Sequence, residues 1–88
     1  MKLTWKILIG LEMARHGESW EDVEANTMTE EEMNKAFDFY SHDGTKGCSF
    51  TVWTRARVYF PMSYDEAESV GSVSRHPDGK PTPHLSGD

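Results

Sequence analysis

The chain has 88 residues and a formal net charge of −6, with 36% hydrophobic and 27% charged residues, which fits one small core and leaves no room for a second. No run of about 18 apolar residues is present, which excludes a membrane-spanning helix, and Met1 to Gly10 lacks the long apolar stretch and cleavage site of a secretion signal, so a cytoplasmic location is expected. Cys48 is the only cysteine, which rules out an internal disulfide and a cysteine-built zinc site.

The first residues carry two periods at once. Leu3, Trp5, Ile7 and Ile9 alternate as in a strand, while Leu3, Ile7, Leu11 and Ala14 recur as in a helix stripe. The strong helix formers Leu11 to Arg15, with Gly17 placed for a left-handed C-cap, decide for a helix over residues 3–16. Ser19, with Asp22 three positions on, reads as an N-cap for a short helix over Trp20 to Ala25 that turns Trp20 and Val23 inward. Thr29-Glu30-Glu31-Glu32 matches a capping box and opens a helix over 29–39 with Met33, Ala36, Phe37 and Tyr40 as its buried stripe.

From Ser41 to Gly47 the glycines and turn formers predict a loop. Strands are expected at Phe50 to Thr54, Arg57 to Phe60 and Ser69 to Arg75, joined by Arg55-Ala56 and by a turn at Tyr64 to Ala67, with Pro61 ending hydrogen bonding on one side. Alternation sets Phe50, Val52 and Thr54 on one face and Thr51 and Trp53 on the other, where Trp53 meets Tyr59 or Phe60 across the strands on a more open face. The expected architecture is therefore α+β, with two or three short N-terminal helices followed by an antiparallel three-stranded β-meander packed under them. Residues 1–75 make this domain, and 76–88, rich in Pro and Gly, make an irregular tail.

Charge narrows the function. Residues 1–47 hold ten acids against five bases, and Glu18 to Glu32 hold seven carboxylates with no Lys or Arg. A protein that grips phosphate backbones needs the opposite sign, so direct nucleic-acid binding is excluded in favour of a basic macromolecular partner. The candidate partner-binding residues are Glu18, Glu21, Asp22, Glu24, Glu30, Glu31 and Glu32 for steering, with Trp53 and Tyr59 as aromatic anchors. A solvated helix face is the competing reading of the acids, and core packing that of the aromatics.

Other chemistry finds little footing. Cys48 with His42 is the one nucleophile and base pairing available, and no spacing marks it as catalytic. His16, His42, Cys48, His76 and His84 form no His-x-x-x-His or Cys-x-x-Cys pair, so no metal site is assigned. The acids lack the alternating oxygens and central Gly of a calcium loop. No cofactor and no catalytic residue is expected.

The stretches from His16 to Val23, Gly47 to Thr54, Val58 to Pro61 and Val70 to Pro77 resemble a group of small proteins encoded in bacteriophage and prophage genomes. Small acidic phage products of this kind are similar in profile to inhibitors of host machinery, anti-CRISPR proteins among them. The resemblance implies a phage-encoded inhibitor of a bacterial host protein or ribonucleoprotein complex, with an inhibitor of host transcription or a virion or assembly component as alternatives. It carries no catalytic residue.

Overall fold

The computed structural model describes residues 2–40 and 46–85. Its elements run β1 (Lys2–Leu3), α1 (Trp5–Arg15), a 3-10 turn (Trp20–Asp22), β2 (Val23–Asn26), α2 (Glu30–Asn34), β3 (Phe37–Asp38), β4 (Val52–Thr54), β5 (Arg57–Tyr64) and β6 (Ala67–Ser74). The fold is α+β, but the expectation of two or three helices followed by a three-stranded meander does not hold. Among the described residues, a four-stranded sheet of order β2-β4-β5-β6 and a two-stranded sheet β1-β3 accompany a single helix of more than seven residues.

The differences have local causes. After Ser19 and Asp22 close their capping box, the helix expected over Trp20–Ala25 ends within one turn, because Val23–Asn26 pairs antiparallel with β4 instead. Six residues would make too few helical hydrogen bonds to compete with a free strand edge. The capping box at Thr29 forms as expected, yet α2 stops at Asn34 because Phe37–Asp38 pairs with Lys2–Leu3.

α1 is a helix capped by the Thr4 hydroxyl, which accepts from the Ile7 N–H. It ends in a Schellman arrangement, with Glu18 N–H on Met13 O at 2.8 Å, Gly17 N–H on Ala14 O at 3.2 Å, and Gly17 at φ 73°. Its buried stripe is Trp5, Ile9 and Met13; Ile7 and Leu11, expected inside, are 48% and 60% exposed. Trp5 anchors the core, its ring 4.8 Å from those of Phe37 and Phe50 and its indole N–H on Cys48 O at 2.9 Å. A Cβ on Gly47 would lie 2.6 Å from the Trp5 ring, so the chain needs glycine there.

β5 and β6 form a long hairpin whose two-residue loop, Asp65-Glu66, has positive φ at both positions, the type I′ geometry that matches strand twist. Pro61 sits within β5 at a position whose missing N–H would point past the end of β4, so the strand runs on to Tyr64.

Candidate functional site

The strand register assigns every side chain of the sheet to one of two faces. Val52, Thr54, Tyr59, Val70 and Ser72 share the face on which α1 packs, and all are buried. Two carboxylates join them. Glu18 Oε1 accepts from the Tyr59 hydroxyl at 2.6 Å and from Thr54 Oγ1 at 2.9 Å. Glu68, only 5% exposed, accepts from the backbone N–H groups of Lys46 at 2.8 Å and Gly47 at 2.9 Å, which fixes the chain beneath Trp5. Burial, then the bond to Glu18 and the charge on that carboxylate, push the Tyr59 phenol well above its ordinary value.

The other face carries Ala25, Trp53, Val58, Phe60, Met62, Tyr64, Ala67, Ser69, Gly71 and Val73, and Tyr40 reaches it through a bridge to Ala67. None of these residues is charged. Trp53, Val58, Phe60, Met62 and Val73 are half-buried and stand outside the core cluster, while Tyr40 and Tyr64 are about half exposed. Gly71 lets Phe60 and Met62 lie flat across the strand: a Cβ there would come within 2.5 Å of Met62 Sδ. A broad, uncharged, aromatic sheet surface is a feature that monomeric proteins seldom expose without use.

The residues expected to bind a partner are divided by the fold. Trp53 lies on the open face, opposite Val58. Tyr59, expected beside it, is fully buried on the opposite face, because the register pairs it with Val52 and Ser72. Glu18 is turned inward onto Tyr59 and Thr54. Asp22 and Glu32 remain exposed but bond back to the N–H groups of Ser19 and Thr29. Glu24, in the bulge of β2, meets Arg75 at 2.6 Å and Arg55 at 4.0 Å, and Glu30 meets Lys6 at 3.6 Å. Glu21 and Glu31 are exposed with no side-chain partner among the described residues. These carboxylates flank the two ends of β2, the sheet edge opposite β6.

Cys48 is exposed, and His42 lies outside the described residues. No group of three His, Cys, Asp or Glu side chains among the described residues could hold a metal ion, and no described helix is long and apolar enough to cross a membrane. Sequence reasoning missed Glu68 and the inward turn of Glu18; the one signal for Glu68 was its alternation with Val70 and Ser72 along β6. No family model, curated protein or solved structure matches this chain.

Proposed function

We propose that this chain is a binding protein, not an enzyme, that occludes a basic surface of a bacterial host protein or ribonucleoprotein complex. The observation that carries the reading is the uncharged aromatic face around Trp53, Phe60 and Met62, half-buried and outside the core cluster. Its centre supplies the apolar contact that tight association needs. The net charge of −6, with Asp65 and Glu66 in the loop that joins two strands of this face, favours a positively charged counterpart and speeds encounter with it. The partner is placed in a bacterial cell, and the chain among phage inhibitors, by the resemblance of its word-like stretches alone.

The test is affinity capture from bacterial lysate with three forms of the protein: unaltered, Trp53→Ser with Phe60→Ser, and Glu21→Lys with Glu31→Lys. The unaltered form retains a partner whose retention falls with salt. The sheet-face variant loses it by about thirtyfold or more, and the charge variant weakens it about tenfold and flattens its salt dependence. Equal retention of the same protein by all three folded forms overturns the proposal. So does a purified protein that sediments as a dimer with Trp53 shielded, since the face is then a self-contact.

A further inference from the structure

The outer sheet face ends in a row of three residues set by backbone pairing. An isolated bridge joins Tyr40 to Ala67, and Glu68 N–H donates to Phe39 O at 2.6 Å beside it, so Tyr40 and Ala67 face each other without exchanging bonds. On its other side Ala67 pairs with Tyr64 across the two-residue loop Asp65-Glu66. Residues directly opposite share a face, so Tyr40, Ala67 and Tyr64 rise in that order from one side of the sheet. The two tyrosine Cα atoms are then about 10 Å apart, with only the methyl group of Ala67 between them. Tyr40 is 51% and Tyr64 52% exposed. Among the described residues the rings in contact are those of Trp5 with Phe37 and Phe50, so the two tyrosines do not stack on each other.

A flat cation held between two aromatic rings needs about 7 Å between the ring planes, which is two van der Waals contacts of about 3.5 Å. Side chains stand roughly perpendicular to a sheet, and rings rising from backbones about 10 Å apart reach that spacing with a small inward lean. Ala67 leaves the floor of the gap open, where a larger side chain would fill it. The loop beside the row supplies charge. Asp65 and Glu66 have φ 47° and 72°, a left-handed conformation that suits glycine or asparagine, so the chain places two carboxylates next to Tyr64 at a conformational cost. Both are exposed.

We infer that Tyr40 and Tyr64 clamp one arginine side chain of the basic partner over Ala67, with Asp65 and Glu66 drawing in its charge. The clamp rests on the proposed meeting of this sheet face with a basic macromolecule. Arginine suits the gap better than lysine, because its guanidinium is planar, stacks on aromatic faces and is less strongly hydrated than an ammonium. A nucleobase can stack on the same rings, but its phosphates would meet two carboxylates. A second copy docked row to row would bring Asp65 and Glu66 of both copies together, which is unfavourable.

The test titrates the full chain with the N-acetyl amides of arginine, of lysine and of citrulline, an uncharged isostere of arginine, and follows the Tyr40 and Tyr64 ring protons by NMR. The arginine amide shifts both sets of ring signals and binds about tenfold more tightly than citrulline and about threefold more tightly than lysine. Tyr40→Ala, Tyr64→Ala and the gap-filling Ala67→Leu each weaken it about tenfold, whereas Tyr64→Phe, which keeps the ring, binds as the unaltered chain does. Asp65→Asn with Glu66→Gly suits the left-handed turn and keeps the hairpin, yet weakens binding about threefold and removes most of its salt dependence. An equal response to citrulline, or a response that survives both Tyr64→Ala and Ala67→Leu, overturns the inference. So does a dimer in sedimentation with both tyrosine rings shielded, since a second copy then fills the gap. Trp53→Ser with Phe60→Ser loses capture from lysate but leaves the arginine response at Tyr40 and Tyr64. Capture that depends on Trp53 in a chain with no arginine response keeps the sheet-face reading and removes the clamp.

Discussion

The two faces of the four-stranded sheet differ in an unusual direction. The face under α1 contains the hydroxyls of Thr54, Tyr59 and Ser72 and the carboxylates of Glu18 and Glu68. The face turned away from α1 contains Trp53, Val58, Phe60, Met62 and Val73 and no charge. A sheet with one solvated face ordinarily puts its polar residues on the outside. Here the inner polar groups are tied into bonds that hold particular segments in place: Glu18 ties the turn after α1 to β4 and β5, and Glu68 ties residues 46 and 47 to β6. The outer apolar groups stand outside the core cluster. The comparison teaches that the polar interior serves the fold, whereas the apolar exterior is the surface proposed to meet a partner.

Substitutions on the two faces should separate accordingly. Glu68→Ala, on the inner face, leaves two backbone N–H groups without their acceptor and should cost about 3 kcal/mol, seen in urea titration as a lower midpoint with an unchanged slope. Tyr59→Phe removes the hydroxyl that donates to Glu18 and should cost about 1 to 2 kcal/mol in the same measurement.

That second variant has a pH signature. The Tyr59 phenol is raised in the folded state, so its neutral form is favoured there. Stability from this group is fully present below the unfolded phenol value of about 10 and declines as pH rises above it. Melting temperatures should therefore fall in alkali for the unaltered protein and fall less for Tyr59→Phe. On the outer face, Met62→Ser should change stability by about 1 kcal/mol or less in the free protein. Smallest of all, Glu31→Lys, at an exposed site in the first turn of α2, should shift the melting temperature by only a few degrees through the helix dipole and local charge.

Sequence made some of this legible and hid the rest for physical reasons. Strand character at β4, β5 and β6 follows from their β-branched and aromatic residues, but the expected three-stranded sheet gains β2 as a fourth strand and β5 runs on past Pro61 to Tyr64. α1 follows from its helix formers and Gly17, but its buried side does not, because Trp5, Ile7, Leu8, Ile9, Leu11 and Met13 surround the helix with apolar groups. Only the size of Trp5 and the pocket made by Phe37, Phe50 and Gly47 select the stripe. β2 was hidden because a capping signature is local, whereas the β4 edge that recruits Val23–Asn26 lies about thirty residues away along the chain. Among the acids, exposure could be guessed from composition, but the inward turn of Glu18 depends on where Tyr59 and Thr54 arrive.

Hydroxyl-radical footprinting of the captured complex against the free protein tests the central claim most directly. Trp53, Phe60 and Met62 should become strongly protected when the partner binds, while buried Tyr59 and the exposed Ile7 of α1 keep their reactivity. Unchanged labelling of Trp53 and Met62, with protection appearing on Ile7 and Leu11 instead, would contradict the account and move the binding surface to the helix.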